Sequence, residues 1–547
     1  MRTTWRLAVV LVLIALCVAT AALVWTTVSA RRELARAADE AASLRRAQAA
    51  EAKRAREAAQ ELRVWQNLYD TWSPPLFAWQ APAWRRTGID VLVVGGTPGG
   101  IGAALGAAKL GARVTLTTEY PWVGGAFTVE AVSVPDEAWK EWSPEAKGAL
   151  GEFQQRVWRR YRDELKPNWL SSWSFLPWDG DAILAAMLRD AGVELRLNTR
   201  FVSAAVRNGR IVGAKFQSEK GAFELEAPRV VDATWNGDVA VACGCSYAAG
   251  REARSETGEL WAPATADNFE NAITYVLIVK DTGKPMPPPA RPGGYDPAHY
   301  GPGVPWYSPV GSRQLSLYQY GVLPRGYVML NWPTYGNDLA VRGYSTAAPA
   351  ERAQLDQAAK DRALGFWYYL KTTPDFADAT RTYDLASEFR TPDRLPFSPY
   401  HRSSRRIRCE YTLNANDIDP PFAPGQTEEP RPKVFDDTIA VGEYPMDVHG
   451  NWPNMPRVPP RFFTIPYRCL VPKQVDNLVI GDMAIGCTFL AQGATRLQAT
   501  RMRVGQAAGV AAAASLKLGV APRDLDPDVT QTLLVRQDLR IYPPGTL

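Results

Sequence analysis

Asp90-Val91-Leu92-Val93-Val94-Gly95-Gly96-Thr97-Pro98-Gly99-Gly100-Ile101-Gly102-Ala103-Ala104-Leu105-Gly106-Ala107-Ala108, continued by Arg113-Val114-Thr115-Leu116-Thr117-Thr118-Glu119, decides the fold. The first five residues are a short apolar run suited to a buried parallel strand. A glycine turn follows, then a small-residue helix stopped by Gly111, then a second strand ending in an acid. Each part has a physical task. Gly95 permits the tight turn out of the strand, and Gly100 lets the helix pack closely on the sheet. The helix N-terminus offers N–H groups and a positive dipole to a pyrophosphate. Glu119 can accept hydrogen bonds from ribose hydroxyls, at a distance from Gly95 close to the usual interval of about 20 residues. Thr97 stands where a middle glycine is usual, with Gly96 and Gly99 beside it to supply room.

The next residues separate two nucleotide classes. A nicotinamide enzyme usually continues with helix after its acid. Here Tyr120-Pro121-Trp122-Val123-Gly124-Gly125-Ala126-Phe127-Thr128 is a loop. Its double glycine lets backbone run beside an extended dinucleotide. This resembles the loop of glutathione-reductase-type FAD domains. The resemblance continues. Residues 192–232 read as a strand and a small antiparallel section, with Asn208-Gly209 as a hairpin turn. Val230-Val231-Asp232-Ala233-Thr234 looks like the strand end of such domains, with Trp235 where a glycine is usual. Asn477-Leu478-Val479-Ile480-Gly481-Asp482 looks like the second segment, whose aspartate meets the ribityl chain in similar flavoproteins. A helix expected over about Thr495–Leu518 would aim its N-terminus at the flavin pyrimidine edge.

Over residues 89–520 the chain resembles the bacterial FAD-dependent oxidoreductases with a Gly-Gly-Thr-Pro nucleotide turn. Asp232 to Glu252, Arg402-Ser403-Ser404-Arg405-Arg406-Ile407 and Ile465 to Lys473 carry it further, with departures at Trp235, Asn236 and Ser403. The resemblance implies an α/β fold: a two-segment, Rossmann-like FAD domain with an inserted α+β cap. It implies FAD held by Gly95, Gly96, Thr97, Pro98, Gly99, Gly100, Glu119, Gly124, Gly125, Thr128, Ala233, Thr234, Gly481 and Asp482. It also implies hydride transfer between a small organic substrate and flavin N5. The expected divisions are FAD domain 89–250 and 441–522, cap 251–440, and a tail 523–547. An NAD(P)-dependent oxidoreductase on the same turn, or a non-catalytic nucleotide-binding scaffold, are the alternatives.

Composition narrows the class. The chain has 547 residues, 46% hydrophobic and 22% charged, enough for more than one domain and a sizeable core. A net charge of +5 with no basic stripe beside aromatics argues against nucleic-acid binding. Cys243, Cys245, Cys409, Cys469 and Cys487 form no CxxC pair, and only His299, His401 and His449 are present, so no metal site is expected. The 19 tryptophans are expected mainly in the core.

Leu7 to Ala30 contains no charge and is long enough to cross about 30 Å of hydrocarbon as a helix. It reads as an uncleaved membrane anchor. Val28-Ser29-Ala30 supports the competing reading, a cleaved signal followed by secretion. The arginines on either side leave the side of the membrane open. Residues 31–70, rich in Ala, Glu, Arg and Leu, read as a helical stalk, and 71–88 as a linker. Membrane attachment suggests a quinone as electron acceptor.

The cap offers few chemical groups. Residues 284–310, crowded with Pro and Gly, read as irregular, and 349–371 as a helix with Leu355, Ala358, Ala359, Leu364 and Trp367 along one side. Arg402, Arg405 and Arg406 read as a basic cluster beside His401, able to clamp a carboxylate or enol oxygen, with structural ion pairs as the alternative. Asp447 and His449 share a face if extended, and His449 is the candidate base. A structural histidine is the competing reading, and Tyr467 is a further possible donor.

Overall fold

The computed structural model describes residues 88–136, 147–165, 171, 173–300, 321–333, 335–421, 430–450 and 461–542. The expected anchor, the stalk and all of the linker before Gly88 lie outside the described residues. Among the described residues, no helix is long and apolar enough to cross a membrane.

The α/β core is a five-stranded parallel sheet in the order Leu478–Ile480, Arg229–Asp232, Val91–Val94, Val114–Thr117, Glu194–Arg196. Val91–Val94, Val114–Thr117 and Leu478–Ile480 are entirely buried. The continuous apolar runs of the first and last therefore read as strands covered on both faces, and the middle one is buried with its two threonines. The last segment enters beside Arg229–Asp232, pairing Val479 with Val231. The antiparallel section forms a separate sheet of Arg200–Arg207, Arg210–Ser218 and Gly221–Leu225. Asn208 (φ 50°) and Gly209 (φ 70°) turn its first hairpin as the sequence predicts.

The cap combines a three-stranded antiparallel sheet (Tyr327–Leu330, Leu277–Asp281, Tyr383–Leu385) with the pair Phe269–Thr274 and Asp338–Arg342. The helix Pro349–Thr372 lies where the sequence places it. Its buried face is Ala359, Ala363, Phe366, Trp367 and Leu370; Ala358 is exposed and does not belong to it. Residues 284–300 hold only one short 3-10 turn, Pro297–His299, and 301–310 lie outside the described residues.

The expected C-terminal helix is Gln498–Leu518, three residues shorter at its start than the sequence suggests, and a separate short helix, Phe489–Thr495, precedes it. Leu497 between them has ψ 145°, which no α-helix accommodates. Arg496 at this corner is held by Tyr400 and Asp447. The longer helix lies directly on Pro98–Ala108. A Cβ on Gly505 would sit 1.9 Å from the Gly99 carbonyl oxygen, and one on Gly509 1.9 Å from that of Ala103. A Cβ on Gly102 would sit 2.1 Å from the Met502 carbonyl oxygen. Glycines on both helices thus let the two backbones touch.

Gly505→Ala is expected to lower stability by about 1–3 kcal/mol through overpacking. Gly293→Ala, where an added Cβ meets nothing within 4 Å, is the control. Urea unfolding of both variants checks it; equal midpoints would show that the crossing tolerates a methyl group.

Candidate functional site

The nucleotide turn meets the second segment at one hydrogen bond. The Gly99 N–H donates to Asp482 Oδ2 at 2.9 Å, across 383 residues of sequence. Asp482 Oδ1 accepts from Met483 N–H at 2.7 Å and from Arg501 Nε at 2.8 Å. A Cβ on Gly99 would strike the Gly481 carbonyl oxygen at 2.0 Å, so only glycine allows this approach. Gly95 (φ +115°) is equally constrained, because its Cβ would lie 2.2 Å from the Ala233 carbonyl oxygen.

Thr97 does the work of a clasp. Its hydroxyl donates to the Ala233 carbonyl at 2.8 Å and accepts from Gly100 N–H at 3.1 Å, capping the helix whose first residue is Pro98. Gly124 N–H donates to the Gly96 carbonyl at 2.7 Å, which brings the double-glycine loop alongside the turn. Gly125 packs against Thr97 and Pro98. Thr128 directs its hydroxyl to the Val123 carbonyl and is fully buried within that loop. Thr234 donates to Asp232 Oδ1 at 2.7 Å and caps the turn at Asp238.

Glu119 closes the second strand with an exposed side chain, yet protein surrounds it closely enough that burial, then Asp238, raises its pKa. That combination describes the wall of a groove. At the other end, Arg501 is 1% exposed, pairs with Asp482 at 2.6 Å, and leaves its Nη1 without a hydrogen-bond partner. A buried cation with an unused donor is costly unless a ligand completes it. An accessible acid at one end and an unfilled arginine donor at the other suit a polar dinucleotide.

A second constellation lies in the cap. His449 Nδ1 is 2.6 Å from Asp338 Oδ2, and Nε2 is 3.0 Å from Asp447 Oδ2. Asp338 pairs with Arg402 at 3.2 Å, and Asp447 with Arg496 at 2.6 Å. The order Arg402, Asp338, His449, Asp447, Arg496 alternates in charge along its whole length. Arg402 is fully buried, while Asp447 keeps 34% side-chain exposure deep inside the protein, so the series opens onto a cleft. Tyr444 donates to Asp136 at 3.2 Å beside it. Burial pushes Asp136 up to about 6, against the pull of Arg496.

These contacts set the protonation of the series. Burial and Arg402 oppose a charge on His449, but Asp447 and Asp338 outweigh them and raise its pKa above the ordinary value. Burial likewise works against Asp338, yet Arg402 and His449 hold it at about 2. Asp447 is held well below the ordinary carboxylate range by His449 and Arg496 against the effect of burial. The two carboxylates thus favour the charged form of the imidazole between them.

The structure disperses the expected basic cluster. Residues 402–405 lie outside helix and strand, Arg406 begins a short strand, and the three guanidinium groups leave in different directions. Arg402 enters the cap, donating to Thr274 Oγ1 and the Ala272 carbonyl. Arg405 turns to Asp238 and the Asn236 carbonyl. Arg406 turns to Glu252 and the Gly250 carbonyl. They make three separate ion pairs, the structural alternative, and no common clamp. Tyr467 donates to the Pro522 carbonyl at 2.7 Å and is buried, away from the cleft. Burial pushes the Cys243 and Cys245 thiols to about 12, which suits structural cysteines. Sequence reading missed Asp338, Arg496, Arg501, Asp136 and Tyr444. Asp338 meets His449 from 111 positions away and Arg496 meets Asp447 from 49, and no local spacing announces them.

Fold and site together define a flavin-nucleotide enzyme of two-segment type. A family model described as FAD dependent oxidoreductase matches residues 90–534. The chain belongs to this family, is an FAD-dependent enzyme and uses FAD as its cofactor. No curated protein sequence matches it. Among solved structures, it is similar to a geranylgeranyl bacteriochlorophyll reductase-like protein from Thermoplasma acidophilum, with 12% identity over 82% of this chain and 83% of that one and a TM-score of 0.36. It is similar to p-nitrophenol 4-monooxygenase PnpA from Pseudomonas putida DLL-E4, with 15% identity over 60% and 70% and a TM-score of 0.30. It is also similar to CabE, an aromatic hydroxylase from angucycline biosynthesis, with 12% identity and a TM-score of 0.30. That match covers 59% of this chain and spans 54% of CabE.

The raised pKa of His449 predicts a specific pH signature. Its stabilising contribution is present below the unfolded value of about 6.5 and is lost as pH rises through the folded value. That of Asp338 is present above its unfolded value of about 3.9 and is lost as pH falls toward its folded value. Imidazole NMR, with His449→Gln for assignment, should place the His449 midpoint above 6.5. Asp447→Asn should lower it; an unmoved midpoint would refute the bracketing.

Proposed function

We propose that this chain catalyses two-electron redox of a small organic molecule, with FAD in the groove from Glu119 to Asp482 and the substrate in the cap cleft at His449. The Gly99 to Asp482 contact carries the reading. It supports one extended cofactor lying across both segments, with its diphosphate at the Gly95–Gly100 turn. In this reading Glu119 holds the adenosine ribose, while Gly481 and Asp482 adjoin the ribityl chain. Gly96, Thr97, Pro98, Gly124, Gly125, Thr128, Ala233 and Thr234 shape the groove between. Bound FAD would supply hydride transfer at N5.

The chain's own residues manage binding and the proton. His449 exchanges a proton with the substrate oxygen that replaces Asp447 at Nε2. Asp338 holds the opposite nitrogen and fixes the ring. Arg402 keeps Asp338 ionised, and Arg496 receives Asp447. Arg405 tightens the turn at Asp238, away from the reacting atoms. The charged imidazole suits donation to a carbonyl or enol during reduction, so that direction should slow as pH rises through the His449 pKa. The reverse direction should quicken over the same range. The uncharged run Leu7 to Ala30 supports membrane attachment with a quinone as acceptor; extraction of membranes with alkaline carbonate tests the attachment.

Two measurements test the assignment. Purified protein should absorb at roughly 450 nm. Glu119→Ala should weaken FAD binding by about 1.5–3 kcal/mol, roughly ten- to hundredfold in Kd, as expected for a hydrogen bond to a charged group. Fluorescence titration reads it, and an unchanged Kd would remove Glu119 from the groove. Small acids, sugars and alcohols that bleach the flavin anaerobically then identify the substrate. With such a substrate, His449→Gln should cost about 10²- to 10⁴-fold in flavin reduction.

A further inference from the structure

Apart from the His449 series, a second buried polar chain runs from the cofactor cleft into the cap. His401 Nδ1 lies 3.0 Å from Glu130 Oε1, and the His401 backbone N–H donates to Oε2 at 3.4 Å. His401 Nε2 lies 3.4 Å from Tyr344 Oη. The Tyr344 hydroxyl donates to Asp356 Oδ1 at 2.6 Å. Glu130, His401 and Tyr344 are only 3%, 2% and 2% exposed, whereas Asp356, on the helix Pro349–Thr372, is half-buried.

The chain has a defined inner end and sealed walls. Glu130 accompanies the double-glycine loop, its N–H donating to the Gly125 carbonyl at 3.0 Å. Its charge acts on Arg501, the partner of Asp482. Trp235 stacks flat on His401, with ring centroids 3.8 Å apart at 11°. Arg352 covers the Trp235 and Tyr344 rings at 5.5 and 5.6 Å. These planes exclude water and fix the imidazole between its two partners. Glu119 also senses His401 and Arg352, so the chain passes along the groove wall.

We propose that Glu130, His401, Tyr344 and Asp356 form a proton path between the flavin cleft and the outer part of the cap. The proposal rests on the flavin reading above, because reduction of bound FAD takes up protons and reoxidation returns them. Outward, a proton that Glu130 takes up from the cleft passes to His401 Nδ1 while the Nε2 proton passes to Tyr344 Oη. The phenol's own proton passes to Asp356 Oδ1, which releases it to water. Each of the two middle groups gains one proton as it loses one, so neither changes charge overall. Inward transfer reverses each step. Burial, with Asp356 adjacent, holds the Tyr344 phenol far above its ordinary pKa, and it serves as a neutral relay.

The test uses FAD-loaded full-length protein. Flash photoreduction with deazaflavin is followed by absorbance that separates electron arrival from flavin protonation. In Tyr344→Phe and Asp356→Asn, electron arrival should be unchanged. Protonation should slow at least about 10²-fold, the low side of what a positioned proton carrier contributes. Unchanged protonation in both variants overturns the proposal. An independent readout is the ring nitrogen NMR of His401, assigned with His401→Gln. Asp356→Asn should shift its titration in the native background and not in Tyr344→Phe. A shift of equal size in both backgrounds overturns the chain itself. Protein that carries no flavin would defeat the function proposed above, whereas a slow electron step with normal protonation would defeat only the path.

Discussion

The carboxylate of Asp482 is the joint of this molecule. It is 1% exposed, and it accepts from Gly99 N–H, Met483 N–H and Arg501. A carboxylate so deeply removed from water is stable only when its lone pairs are filled. Apart from the adjacent Met483, its partners come from the nucleotide turn and from the last long helix. Every other feature of the groove follows from that convergence. Gly99 must lack a side chain, the strand Leu478–Ile480 must lie beside Arg229–Asp232, and Gln498–Leu518 must run against Pro98–Ala108.

Two residues that depart from the common pattern have structural uses. Thr97 adds a hydroxyl where a glycine is usual, and that hydroxyl joins the strand end at Ala233 to the helix cap at Gly100. Trp235, in place of another glycine, lies flat on His401 and beneath Arg352, so it fastens the cap to the nucleotide half. Both substitutions exchange backbone freedom for a specific tertiary contact. The His449 series makes the same exchange with charge. Burying five ionic groups is expensive unless each is paired, and here every member has an opposite neighbour.

The nucleotide half was legible because its signals are local. Strand, glycine turn, helix and acid follow within thirty positions, from Asp90 to Glu119, and the Asn208-Gly209 hairpin is set by two residues. The second segment was legible for the same reason, through the strand ending at Gly481-Asp482. The cap was not. Arg402 and Arg405 are three apart and serve different ion pairs, whereas Asp338 and His449 are far apart and touch. The short helix Phe489–Thr495 and the corner at Arg496-Leu497 that sets the start of the long one were hidden too, since Tyr400 and Asp447 fix that corner from elsewhere in the chain.

The glycine-on-glycine crossing has a consequence for the order of assembly. The helix Pro98–Ala108 is made early, but its bare backbone face is covered by Met502, Gly505, Gln506 and Gly509, all on the later helix. During synthesis the glycine turn therefore waits, with its hydrogen-bond acceptor at Asp482 not yet made, until 383 further residues have followed Gly99. Closure of so long a loop is slow relative to local helix and hairpin formation. The finished groove, and with it tight capture of a flavin nucleotide, therefore waits on synthesis of the helix Gln498–Leu518, and a chain truncated before this helix would leave the ribosome with an open cradle.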